Sequence, residues 1–112
     1  MYKFWGKVRT HKKRGHKLGF PTANINIRKK IPTGIYISKT KLEHLRYSSL
    51  TYIGNAKIAE NYILDFNTNI YGQWISVELI KKIRNNKKFA SEKDLIDQMK
   101  KDELEARQYF TS

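Results

Sequence analysis

Apolar and polar residues alternate at every second position through the first three-quarters of the chain. This restricts the fold more than any other feature, because a period of two marks strands with one buried face. Tyr2, Phe4 and Val8 alternate with Lys3, Lys7 and Arg9; Ile25 and Ile27 alternate with Asn24, Asn26 and Arg28; Ile35 and Ile37 follow Gly34. Segments 50–54, 60–66 and 74–83 supply three more strands, the last with Ile75, Val77 and Leu79 on one face and Ser76 and Glu78 on the other. Turn-forming residues fall between the runs: Gly15, Gly19 with Pro21, Pro32-Thr33-Gly34, Asn67-Thr68-Asn69 and Asn85-Asn86. Six strands within 112 residues predict a barrel or a sandwich.

The period changes after Phe89. Ser91, followed three residues later by Asp94, suits the start of a helix. Leu95, Ile96, Met99, Ala106 and Phe110 then recur at helical spacing, and Asp97, Lys101, Glu103 and Arg107 offer i,i+4 charge pairs. The stripe breaks near Asp102 and reads as packing on the barrel. A single domain is expected, with the barrel over about 1–90 and the helix over about 91–110.

Charge narrows the partners. Twenty-three Lys and Arg against ten Asp and Glu leave a net +13, a field that draws anions such as nucleic acid, anionic lipid or phosphorylated small molecules. A Lys-rich solvated surface explains the same number, so charge does not choose among them. With 39% hydrophobic residues and 12% aromatic, the chain is not composed like a disordered tail. The absence of cysteine rules out disulfides and thiolate chemistry. No signal-like leader and no membrane-length apolar run occurs, so a cytoplasmic protein is expected, and a monomer.

Two places carry chemistry. Residues 14–24, Arg-Gly-His-Lys-Leu-Gly-Phe-Pro-Thr-Ala-Asn, set two glycines and several cations before a proline and a strand, a composition suited to close approach of backbone to phosphate. It is not a Walker loop, since neither the Gly-Lys-Ser/Thr ending nor a following helix is present. Thr22 and Asn24 lie two apart and so project from one strand face. Their hydroxyl and amide oxygens suit Mg²⁺, although on the residues alone plain hydrogen bonds to neighbouring backbone are the simpler account. His11, His16 and His44 have no metal-site spacing. Trp5 and Trp74 are expected to pack at the barrel surface or under the helix.

The string Leu18-Gly19-Phe20-Pro21-Thr22-Ala23-Asn24, with Gly34-Ile35-Tyr36, Ile53-Gly54, Leu64-Asp65-Phe66, Tyr71-Gly72, Ile83-Arg84, Lys88-Phe89 and residues 102–107 in the same order, resembles the riboflavin kinase family over nearly the whole chain. The resemblance implies a mainly β fold: a closed six-stranded antiparallel Greek-key barrel with a C-terminal helix. It also implies transfer of the γ-phosphate of ATP to the ribityl 5′-hydroxyl of riboflavin, giving FMN and ADP.

By matching positions, Glu60 would be the catalytic residue, and Thr22 and Asn24 would hold Mg²⁺, with Zn²⁺ or Mn²⁺ as alternatives. Gly15, Lys17, Thr22, Ile63, Asp65 and Tyr71 would border ATP or ADP. Arg84 and Phe89 would belong to the flap over flavin. His11 where the family usually has glycine, a short 54–60 loop and Asn86 are departures from the pattern. Many bacterial relatives carry an adenylyltransferase domain ahead of this one; this chain opens on Met1 at the first strand, and it is expected to stop at FMN.

Two further classes are weighed. A non-catalytic flavin or nucleotide binder of the same fold is motivated by those departures. A basic nucleic-acid-binding barrel is motivated by charge and aromatics but leaves the 18–24 string and Glu60 unexplained, so nucleic acid ranks below riboflavin and ATP as partner.

Overall fold

A computed structural model describes residues 2–9, 22–55 and 57–111. Six antiparallel strands form a nearly closed barrel: β1 (Lys3–Lys7), β2 (Ala23–Asn26), β3 (Gly34–Leu42), β4 (Leu45–Ile53), β5 (Ile58–Ile63) and β6 (Trp74–Arg84), ordered β1-β6-β3-β4-β5-β2. One helix, α1 (Glu92–Thr111), follows. The Ser91 cap forms as expected, its Oγ accepting from the Asp94 amide at 3.2 Å. Among the described residues no helix is long and apolar enough to cross a membrane.

The boundaries differ from the sequence expectation in two places. β3 and β4 run on to Leu42 and back from Leu45 as one long hairpin, its two-residue turn held by Glu43 at a φ of 56°. The expected 60–66 strand stops at Ile63, and Asp65 adopts a φ of 56° two residues later. Asp tolerates that left-handed conformation better than most residues, so the hydrophobic Leu64 and Phe66 do not continue the ladder.

Among the described residues, closure happens at one hydrogen-bonded pair. β1 and β2 share no ladder, but the Arg9 amide donates to the Asn24 carbonyl at 2.8 Å, an isolated antiparallel bridge. Gly6 permits the approach: a Cβ there would sit 3.2 Å from Ile25 Cβ and 3.4 Å from the Asn26 carbonyl. Gly34 is needed for a different reason. Its φ is 149°, and a Cβ would meet Arg84 O at 3.0 Å, next to the irregularity in the β3–β6 register.

The barrel interior is filled by side chains such as Phe4, Ile25, Ile53, Ile75, Val77 and Leu79. A second cluster, Ile35, Ile37, Leu50, Leu64 and Ala106, joins the outer face of β3 and β4 to α1. The interior also holds polar groups that alternation does not reveal. Ser38 Oγ shares hydrogen bonds with Ser49 Oγ and Thr51 Oγ1, both at 2.7 Å; Thr51 Oγ1 donates to Asn61 Oδ1 at 2.8 Å; Asn61 Nδ2 donates to the Ala23 carbonyl at 3.1 Å. Buried polar atoms are tolerated when every member is paired, and this chain of bonds ends on the backbone between Thr22 and Asn24.

Candidate active site

One row of residues crosses five strands. In the register, Arg84 on β6 lies opposite Ile35 on β3, Ile35 opposite Tyr52 on β4, Tyr52 opposite Glu60 on β5, and Glu60 opposite Asn24 on β2. Directly opposed residues share a sheet face, with neighbouring strands about 4.8 Å apart. The proposed base and the proposed metal ligand are therefore adjacent cross-strand neighbours, although 36 residues separate Asn24 from Glu60 in the sequence.

Thr22 and Asn24 converge: Thr22 Oγ1 donates to Asn24 Oδ1 at 3.2 Å. Asn24 is 1% exposed, and its Nδ2 is buried without a hydrogen-bond partner. A buried unpaired donor costs stability, which suits a group that meets a phosphate oxygen or the shell of a bound ion. The oxygen pair fits a divalent cation of the Mg²⁺ type, which takes few protein ligands and fills the rest with water and phosphate. Among the described residues no group of three or more His, Cys, Asp and Glu is placed to hold a metal ion.

Two clefts meet at Thr22. The first, of about 330 Å³, is walled by Val8, Thr22, Asn61, Ile63, the 66–70 turn and Tyr71. The second, of about 290 Å³, is walled by Thr22, Ile35, Tyr52, Glu60, Arg84 and Phe89, with Asn86, Leu95 and Met99 completing it. Ile63 and Tyr71 thus fall together in one cleft, and Glu60, Arg84 and Phe89 in the other. A third cleft, of about 600 Å³, lies between Trp5, Trp74, Lys7, Arg9 and Arg28 and does not reach Thr22. Trp5 and Trp74 are 65% and 62% exposed; they are neither under the helix nor packed in.

The remaining site residues distribute unevenly. Asp65 lines neither of the Thr22 clefts: its carboxylate takes two hydrogen bonds from Arg107, both at 3.0 Å, and these hold its ionisation below the usual aspartate value. Gly15, Lys17 and His11 lie outside the described residues. Arg84 does not project freely as a flap residue. Its Nε and Nη2 donate to Asp102 Oδ1 and Oδ2 at 2.9 and 2.7 Å. Asn86 fixes the cleft rim, its Nδ2 donating to the Ile53 carbonyl at 3.0 Å. Lys87 stands 5.3 Å over the Phe89 ring.

Five contributors were not anticipated. Asp102, expected as a break in the apolar stripe, is buried and in phase with Leu95, Met99 and Ala106; the ion pair with Arg84 explains it. Leu95 and Met99 wall the second cleft as well as pack on the sheet. Tyr52 and Ile35 enter because they sit between Glu60 and Arg84 in the row, a relation visible only once the register is known.

Residues 1–110 match the model of a family described as riboflavin kinase. The bifunctional riboflavin kinase/FMN adenylyltransferase of Haemophilus influenzae is 35% identical over 121 aligned positions covering 99% of this chain; the match spans only 39% of that relative. Among solved structures, a Streptococcus pneumoniae protein described as a macrolide-efflux protein superposes with a TM-score of 0.83 at 30% identity over 94% of this chain and 38% of its own. The riboflavin kinase of Trypanosoma brucei gives a TM-score of 0.70 at 24% identity, covering 98% of this chain and 80% of its own, and so shares the fold. With all but its last two residues matched by the family model, this chain belongs to the riboflavin kinase family.

Proposed function

We propose that the chain transfers the γ-phosphate of ATP to the ribityl 5′-hydroxyl of riboflavin, giving FMN and ADP. The observation that carries this reading is the position of Thr22, which walls both clefts at their junction and pairs with Asn24 beside Glu60. A phosphoryl donor in the first cleft and an acceptor in the second would meet there. Phosphoryl transfer requires little covalent help, so holding the two ends in line and neutralising charge are the main tasks.

Each residue has a part in that geometry. Ile63 and Tyr71 would line the nucleotide, and Gly15 and Lys17 would approach its phosphates. Thr22 and Asn24 would hold Mg²⁺, with Mn²⁺ or Zn²⁺ as alternatives. Such an ion supplies charge neutralisation of the phosphates when bound. Glu60 would accept the proton of the ribityl hydroxyl or hold that hydroxyl in line, and Arg84 with Phe89 would border the flavin. Asp65 is assigned to the Arg107 pair rather than to the nucleotide.

Incubation of the purified chain with riboflavin and MgATP, read by HPLC, should yield FMN and ADP. Glu60→Gln should lower turnover by about 10²–10⁴-fold while the far-ultraviolet spectrum is retained. Thr22→Ala should also lose turnover, with a shift in its dependence on Mg²⁺ concentration. Unchanged turnover in both variants would remove the site assignment. Tight FMN binding without turnover across several nucleoside triphosphates would replace the enzyme with a binder.

A further inference from the structure

The hydroxyl of Tyr52 is buried and has no hydrogen-bond partner. Every other buried side-chain polar atom among the described residues is satisfied, apart from Asn24 Nδ2 at the proposed metal pair. The two unpaired atoms are not scattered. Asn24 and Tyr52 both lie opposite Glu60, one on each neighbouring strand.

The ring of Tyr52 packs against the cluster of Ile35, Leu50 and Ala106 between sheet and helix, while the residue walls the second cleft. A phenylalanine would fill that apolar space without leaving an oxygen unpaired. Burial first, and then the nearby Asp102 carboxylate, push the phenol's ionisation well above the ordinary tyrosine value, so it stands as a neutral O–H. Neither Arg84 nor Asp102, which are bonded to each other, makes a hydrogen bond to it.

We infer that the Tyr52 hydroxyl is a specificity contact for the acceptor, donating to or accepting from a hydroxyl of the ribityl chain whose terminal oxygen Glu60 engages. The inference rests on the acceptor reading of the second cleft and deepens it. Position selects the ribityl chain over the ring system. The Tyr52 backbone is one strand spacing, about 4.8 Å, from that of Glu60, whereas the Arg84 backbone is three spacings away at roughly 14 Å. The group next to Glu60 meets the part of the acceptor next to the reacting oxygen.

The test separates a contact from a packing role because the two predict opposite changes in stability. Tyr52→Phe removes only the oxygen. Without ligand its Tm should be unchanged or higher, since the unpaired hydroxyl is gone. Riboflavin binding, followed by quenching of flavin fluorescence, should weaken about tenfold, the scale of one hydrogen bond. Lumiflavin, which has a methyl group in place of the ribityl chain, should bind both proteins equally.

Riboflavin affinity within twofold of the parent would overturn the inference, as would a fall in Tm in step with the loss of affinity. An equal penalty on lumiflavin would overturn the assignment to the ribityl chain. A parent protein that neither binds riboflavin nor makes FMN would instead overturn the acceptor reading itself, and the Tyr52 contact with it.

Discussion

Arg84 grips Asp102 with two parallel hydrogen bonds, Nε to Oδ1 at 2.9 Å and Nη2 to Oδ2 at 2.7 Å, and so ties the end of β6 to the middle of α1 behind the second cleft. Asp102 is 2% exposed, and Gln98 Nε2 adds a third bond to Oδ1 at 3.0 Å. The pair fixes one wall of the second cleft to the other, since Arg84 comes from the sheet and Leu95 and Met99 from the helix.

Breaking that pair on one side leaves a buried charge without its partner. Asp102→Ala should lower unfolding stability by about 3–5 kcal/mol in urea titrations, with a parallel loss of riboflavin affinity as the cleft wall loosens. Arg84→Lys should recover little of it, because an ammonium cannot reproduce the planar two-bond geometry.

The hydroxyl chain inside the barrel gives a second expectation. Thr51→Val keeps the volume but leaves Ser38 with Ser49 alone on one side and strips Asn61 Oδ1 of its donor on the other. Stability should fall by about 1–3 kcal/mol. Asn61 also holds the Ala23 carbonyl, so turnover should fall further than the folded fraction alone predicts, measured on protein verified as folded by circular dichroism.

Alkaline pH should expose Tyr62. Burial, then its hydrogen bond to Glu103 at 3.0 Å and that carboxylate's charge, push its ionisation up to about 12 from 10.0, with Arg107 pulling the other way. A phenol whose folded value is raised stabilises the fold fully below the unfolded value, and that contribution disappears as pH rises through the folded one. Unfolding midpoints should therefore fall between about pH 10 and 12, and Tyr62→Phe should remove part of that fall. Phenolate absorbance should show Tyr52 ionising late as well.

Trp5 and Trp74 offer a control in a separate cleft. Both are largely exposed and line the cleft that does not reach Thr22. Trp5→Ala and Trp74→Ala should change stability by no more than about 0.5 kcal/mol and leave FMN formation unchanged. A large loss of turnover in either would place part of the substrate path there.

The sequence made the architecture legible because alternation reports which face of a strand is buried, and six strands and the helix all appear in the expected order, with shifted bounds at β3, β4 and β5. It could not report register. Ile35 and Tyr52 read as ordinary strand residues until β3, β4 and β5 are aligned, after which they stand between Arg84 and Glu60. Asp102 was misjudged for a related reason: a carboxylate within an apolar stripe looks like an interruption when its partner is 18 residues away on a strand. Ser38, Ser49 and Thr51 were invisible as interior residues because hydroxyls bonded to one another can occupy positions that hydropathy assigns to water.

The isolated bridge between Arg9 and Asn24 makes Asn24 do two unrelated jobs with two different parts of itself. Its carbonyl clasps the two edges of the sheet, and its carboxamide belongs to the oxygen pair at the junction of the clefts. Shape and chemistry can therefore be separated at a single address. Replacing the Asn24 side chain alters the ligand set and leaves the clasp, whereas Arg9→Pro deletes the clasping N–H and leaves every described site side chain in the sequence. The edges of the sheet would then part like an unfastened cuff, and the distance between Thr22 and Val8 would no longer be set by the barrel.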